Sequence, residues 1–344
     1  MSKQRSKCII ILSEKSSGSS ACQNLIHDIT GAKYITKTRH FENESLYWTK
    51  AASVLGMEQL RAQDSEVPIG RGRAKKDLLN LLQSNVPGYV APAEDRAMIF
   101  EGWKRLCESH GPIFLEKSPH HLYQWSALQL IQECMVKYPE IDFLIVGLIR
   151  NPMDTIYSQF KRWRSVPEKV QFQWLSGYQN MRRLKAALGE KMVIVRYEDM
   201  VSSLDCMMPV FRFCGLGPGD IPANTLYRDA LRKWKSDRRF GFAMAEPVKQ
   251  LARSYGYSDR DLENGIGKAQ AMIWPAYRSS LRILYKAKQY LKKELLWRTK
   301  APTLNGAPSQ NIQRAEHLNA ASFSHPASAA IMAVPLFGPV TDLL

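Results

Sequence analysis

The chain has 344 residues, 45% of them apolar, so it carries enough hydrophobic side chain for one large domain or two ordinary ones, and wholesale disorder is excluded. Lys and Arg number 48 against 32 Asp and Glu, a net charge of +16 whose field favours anionic partners: nucleic acid, acidic lipid, phosphate or sulfate esters, or a polyanionic nucleotide. The six cysteines (Cys8, Cys22, Cys107, Cys134, Cys206, Cys214) form no C-x-x-C pair, which argues against a disulfide scaffold or zinc ribbon and for reduced thiols in a cytosol.

The start, MSKQRSK, is basic, but the apolar run behind it, Cys8–Leu12, is too short for a signal-peptide core. No stretch reaches the length of a membrane span, the best being 327–338, interrupted by Pro335. The expectation is a soluble, cytoplasmic protein. Strands are expected at 8–12, 33–36, 112–115, 143–149 and 192–196. Ile and Val dominate several of these without strict alternation, as in parallel strands buried on both faces. Helical patterns lie between them, near 20–29, 44–54, 75–83, 94–109, 122–137, 153–163, 168–188 and 204–214. That alternation predicts an α/β fold: a central, mostly parallel sheet of about five strands with helices on both sides. From Tyr227 the pattern is helical and basic. From Ala301 the chain turns rich in Ala, Pro, Ser and Asn, with one Arg against one Glu and one Asp, so the domain is expected over 1–300 and a flexible tail over 301–344.

The first strand runs into SEKSSGSSA, Ser13–Ala21, and then into a helix. Small residues at such a junction let backbone N–H groups surround an anion at the positive end of the helix. Gly18 permits close approach, Ser16, Ser17, Ser19 and Ser20 offer hydroxyls and amides, and Lys15 adds a full charge. A nucleotide-kinase loop needs its Lys after the second glycine, whereas Lys15 precedes Gly18. The fourth strand ends in RNPMDTIYS, Arg150–Ser158. Asn151-Pro152 starts a helix, Arg150 stands where open α/β sheets bind ligands, and Ser158 follows two turns on; an Arg fork with a hydroxyl suits a terminal phosphate.

Together these segments resemble the PAPS-dependent sulfotransferases, which carry a PKSGTT-type loop for the 5′-phosphosulfate and an R-x-P-x-D-x-x-x-S segment for the 3′-phosphate. LEKSPHHL (115–122), VRYEDM (195–200) and a following FCGL are similar to that family too, so the resemblance spans about residues 8–260. The loop departs from the pattern in having Glu14 for Pro and Ser19-Ser20 for Thr-Thr. The resemblance implies a P-loop-like three-layer fold and transfer of a sulfuryl group from PAPS, without a metal, to a hydroxyl or amine of a small molecule, lipid or glycan. Lys15 would act on the leaving phosphate, with Gly18, Ser19 and Ser20 around the phosphosulfate. Arg150 and Ser158 would hold the 3′-phosphate, and Tyr197 would contact the nucleotide. A second basic group would come from RDALRKWKSDRR (228–239), through Lys233, Arg238 and Arg239; the other reading of that run is a solvated helix face.

For the base, TRHFENESLYW offers Glu42 and Glu44, taken first because some branches use a Glu after the second strand. His121 comes second, with Lys117 as a transition-state partner; Glu44 opening a helix reads equally as a favourable N-terminal charge. His110, His120 and His121 do not make a metal site. Two other readings remain: a P-loop-like small-molecule kinase, and a non-enzymatic polyanion-binding protein. Segment 278–298 has seven Lys/Arg against one Glu, interleaved with Leu281, Leu284, Leu291 and Leu295, a pattern suited to an acidic membrane or a partner helix. The acceptor is not named by these motifs; it is expected to meet segments 38–75 and 164–175.

Overall fold

Five consecutive apolar residues, Cys8–Leu12, form the middle of β1 (Lys7–Ser13), and every one of them is fully buried. A strand with no exposed face must lie inside a sheet covered on both sides. In the computed structural model, which describes residues 5–223, 226, 231–237, 240–263 and 268–300, β1 pairs with β2 (Ile113–Lys117) on one side and β3 (Asp142–Ile149) on the other. Strand β4 (Met192–Arg196) adds to β3, giving the order β2-β1-β3-β4, all parallel.

Alternation along β1 divides the core. Cys8, Ile10 and Leu12 face a layer holding α2 (Tyr47–Val54), α3 (Arg71–Asn85), α4 (Asp95–Ser109), α6 (Trp125–Lys137) and α8 (Pro167–Leu188). Ile9 and Ile11 face α1 (Ser19–Thr30), α9 (Tyr197–Met200) and α10 (Met208–Cys214). The result is the expected three-layer α/β/α arrangement.

The expected strand 33–36 contributes one residue. Lys33 bridges β2, its N–H donating to Ile113 (2.9 Å) and its carbonyl accepting from Leu115 (2.8 Å). Ile35 is then drawn into the core on the Ile10 side, so the chain leaves the sheet edge and four strands remain. The expected helix 122–137 is broken at Gln124, whose extended backbone separates α5 (His120–Tyr123) from α6. Its side-chain amide instead clasps the backbone of Leu60, donating to the carbonyl (2.6 Å) and accepting from the N–H (2.8 Å). After α7 (Pro152–Trp163) and α10 come α11 (Glu246–Ser254) and the long α12 (Lys268–Lys300). The chain divides into two units, residues 1–291, which carry the sheet, and residues 292–344; the expected tail 301–344 lies outside the described residues. Among the described residues no helix is long and apolar enough to cross a membrane.

Because all four strands run in one direction, the segments that follow them emerge at one edge: 14–18 after β1, 118–121 after β2, 150–151 after β3 and Tyr197 after β4. That edge is where open parallel sheets bind ligands.

Candidate active site

The turn after β1 is built on a buried phenol. Tyr178 of α8 donates its hydroxyl to the Leu148 carbonyl (3.1 Å) and accepts from Ser17 Oγ (3.1 Å) and, at 3.5 Å, from the Glu14 N–H. Gln159 of α7 donates to the Lys15 carbonyl (3.0 Å) and to Glu14 Oε1 (3.4 Å). Burial pushes the Glu14 carboxyl above its ordinary range, so this residue is an interior group beneath the loop. Ser16 and Gly18 both take left-handed backbone, φ 65° and 87°, which turns the chain into α1. No side chain caps that helix, so its first-turn N–H groups are free to meet an anion.

Gly18 has no room for a side chain. A Cβ there would lie 2.3 Å from Cε2 of Tyr197, the first residue after β4. The Tyr197 ring also meets the Arg150 guanidinium, 4.8 Å from the ring centroid, and Arg150 Nη1 donates to the Ser16 carbonyl (3.1 Å). Loop, ring and guanidinium therefore form one stack. Glu198 fixes its far end, accepting from the Asn151 N–H and from the Tyr257 hydroxyl, both at 2.9 Å. Asn151 caps α7 through the Met153 N–H (2.8 Å), and Ser158 sits half-buried two turns along that helix.

A second cluster forms where residues 41–46 cross the loop. Lys117, its side chain fully buried, donates from Nζ to the Glu42 carbonyl (2.9 Å) and Ser20 Oγ (3.3 Å), and lies 3.5 Å from Glu44 Oε1. Ser20 donates to Glu42 Oε2 (2.8 Å) and Arg162 to Glu42 Oε1 (3.0 Å). Glu42, Asn43 and Leu46 all have positive φ (62°, 57° and 50°), strain of the kind that collects at functional sites. Residues 44–46 are thus a loop, and α2 starts only at Tyr47, so Glu44 does not open a helix.

The two carboxylates differ. Burial pushes Glu42 up, but the Ser20 and Arg162 hydrogen bonds and the Lys117 charge outweigh it and hold the group below its ordinary value. Glu44 is pushed up by burial, which its attraction to Lys117 only partly offsets.

Lys15 Nζ rests on the carbonyls of Gln63 (3.1 Å) and Asp64 (2.8 Å) and 5.0 Å from the Trp163 ring centroid. Burial pulls its pKa down, against the opposing pull of Glu14, Asp64 and Glu44. The Asp64 carboxylate accepts from Ser165 Oγ (2.8 Å), from both Arg282 Nη atoms (3.0 and 3.1 Å) and from Lys286 (3.0 Å). Those contacts outweigh burial and lower its pKa to about 2.

The model of the "Sulfotransferase family" matches residues 8–217, which include the 14–18 turn, Arg150–Ser158 and the 41–46 crossing. The chain belongs to the sulfotransferase family. Two solved structures are similar to it over most of its length: a sulfotransferase from Alicyclobacillus acidocaldarius (11% identity, 79% of this chain and 100% of that one, TM-score 0.37) and sulfotransferase STF9 from Mycobacterium avium (14%, 81% and 77%, TM-score 0.32). No curated protein matches the chain.

This sulfotransferase brings Lys15, Gly18, Ser20, Glu42, Glu44, Lys117, Arg150 and Tyr197 to one edge of the sheet. His121 stands beneath them. Its ring is fully buried against Glu116 (3.4 Å), which also accepts from Ser45 (2.6 Å) and Ser118 (2.5 Å), so the pair supports the backbone at 45–46 and does not join Glu42 and Glu44. His120 bonds Ser65 (3.0 Å), and burial lowers its pKa to about 3. Among the described residues no group of three or more His, Cys, Asp or Glu is arranged to hold a metal ion.

The late basic segment docks on α7. The Arg232 N–H donates to Asp154 (2.7 Å), Tyr157 donates to Asp237 (3.0 Å), and Trp234 is buried. Lys233 is exposed beside this junction, and Arg238 and Arg239 lie outside the described residues. Burial raises Asp154 to about 6, against the pull of Arg150. Sequence reasoning missed Gln159, Arg162, Tyr178 and Asp64. Thr155, Gln159 and Arg162 share the i, i+4, i+7 face of α7, so that stripe was available as a signal; nothing local marked Asp64 or Tyr178.

Proposed function

We propose that this sulfotransferase moves a sulfuryl group from PAPS to a hydroxyl or amine of a small molecule, lipid or glycan, with Glu44 as the base. The observation that carries the reading is the meeting of the Glu44 carboxyl, the Lys117 ammonium and the uncapped start of α1 at the mouth of the Gly18 turn. Bound PAPS supplies the activated sulfuryl group and a phosphate leaving group. The residues present suit it: the turn has no side chain at Gly18, amides face outward from α1, and Lys15, Lys117 and Arg150 set three cations around the space.

In this reading Ser19 and Ser20 cradle the phosphosulfate with Ser16 and Ser17, and Lys15 and Lys117 neutralise charge that grows as the bond to sulfur breaks. Arg150 and Ser158 hold the 3′-phosphate, with Tyr197 fixing the guanidinium and Lys233 supplying a further cation. Glu44 is the better base because its raised pKa lies nearer working pH, whereas Glu42 is held ionised by Arg162 and Ser20. Glu42 instead positions Ser20 and Arg162. Charge neutralisation by side chains leaves no required role for a divalent ion, so turnover should persist in EDTA. The six free thiols suit a reducing compartment such as the cytoplasm.

Thermal unfolding with nucleotides tests the reading. Adenosine 3′,5′-bisphosphate should raise the melting temperature far more than ADP, since ligand stabilisation follows saturation over Kd and reaches about 2.7 kcal/mol at a hundredfold excess. Equal shifts from both would refute PAPS as the donor.

A further inference from the structure

Helix α12 turns charged side chains inward, beside Trp274 and Leu281. Arg278 donates to the carbonyls of Phe240 (2.6 Å) and Gly241 (2.8 Å) and pairs with Glu168; Arg282 and Lys286 close on Asp64. A surface helix ordinarily buries its apolar stripe and solvates its charges. Here Ile273, Ile283, Leu284, Tyr290 and Leu291 face outward, each 59–70% exposed. Ser280, Ile283, Leu284, Ala287, Tyr290 and Leu291 follow one another at three- and four-residue spacing, so they form one continuous face, with Ile273 two turns before Ser280.

An exposed lysine borders that face: Lys288 is four residues beyond Leu284, while on the other side Lys286, three beyond Ile283, is turned to Asp64. From 268 to 293 the chain has no Asp or Glu. We infer that the outward face of α12 is a docking surface for a lipid bilayer bearing anionic headgroups. Apolar side chains and Tyr290 would enter the acyl boundary while Lys288 reaches the headgroups. A second copy of the helix fits less well, since pairing would set lysine flank against lysine flank with no acidic residue between them. The inference rests on α12 alone and is independent of the sulfotransfer reading.

Cosedimentation of the full chain tests it, using phosphatidylcholine vesicles with and without about 30% phosphatidylserine. Binding should require phosphatidylserine and fall steeply at about 0.5 M salt. A neutral triple change, Ile283→Ser, Leu284→Ser and Leu291→Ser, should weaken it at least tenfold with the melting temperature kept. Lys288→Glu, a single exposed change, should weaken it too and guards against misfolding of the triple variant. Three results would overturn the inference: no sedimentation of the full chain with phosphatidylserine vesicles, triple-variant binding equal to that of the parent, which would reduce the effect to net charge, or a dimer in light scattering that the triple variant converts to monomer.

Discussion

Replacing Gly18 by Ala perturbs the stack that joins the loop to Arg150. The added methyl meets two costs. Left-handed backbone at a residue with a Cβ costs about 1–2 kcal/mol. The 2.3 Å approach to Tyr197 Cε2 then forces the ring aside, which gives up its contact with Arg150, worth about 0.5–2 kcal/mol. Together they predict a loss of about 1.5–4 kcal/mol in nucleotide binding, roughly ten- to several-hundred-fold in Kd. Calorimetric titration with adenosine 3′,5′-bisphosphate reads this directly, and a double-mutant cycle isolates its cause. Tyr197→Ala removes the obstacle, so the double variant should bind about 1–2 kcal/mol better than the sum of the single losses. Strict additivity would mean that the ring and the turn do not meet in solution, and the explanation of why position 18 must be glycine would fail.

Glu44→Gln should lower turnover by about 10²–10⁴ with nucleotide affinity kept, and should remove an acid limb of the pH–rate profile lying above the ordinary glutamate value of 4.5, while Glu42→Gln leaves that limb in place. Asp154 has its folded pKa raised from 3.8 to about 6, so the folded state binds the extra proton between those values and stability falls as pH rises through them. Asp154→Asn, which keeps an acceptor for the Arg232 N–H, should therefore be up to about 3 kcal/mol more stable above pH 6, with the gain gone below pH 4 in urea titrations. Asp64 shows the opposite sign: its pKa is lowered from 3.8 to about 2, so its contribution is complete above 3.8 and lost as pH falls through 2. Asp64→Asn should cost about 2 kcal/mol at neutral pH, and the difference from the parent should close as acid is added.

Much of this was legible in the sequence, for identifiable reasons. Runs such as Cys8–Leu12 and Phe143–Ile149 are apolar on both faces, and only a covered parallel strand tolerates that. Parallel direction then makes the residues that follow strands a shared edge, which is why 14–18 and 150–151 could be linked from their positions alone. Lys33–Thr36 misled because a short β-prone segment does not announce that Ile35 belongs to the core. Gln124 broke an expected helix because its partner, Leu60, is distant in sequence. The different surroundings of Glu42, Glu44 and His121 depend on which carboxylate Arg162 reaches and which acid lies beside the imidazole, facts that exist only once the chain is folded.

The Asp64 clasp ties the order of synthesis to competence. Its carboxylate sits nearly buried in the first fifth of the chain, and its counter-charges are Arg282 and Lys286, more than two hundred residues later. A nascent chain that has already made the sheet, the Gly18 turn and Arg150 still lacks the two cations that hydrogen-bond this carboxylate, and leaving such a group buried is costly. The loop whose carbonyls seat Lys15 is therefore tied down from α12, as well as by Ser165. Contacts so far apart along the chain form late. Lys15, near the start of the chain, thus owes its seat to a helix more than two hundred and fifty residues later.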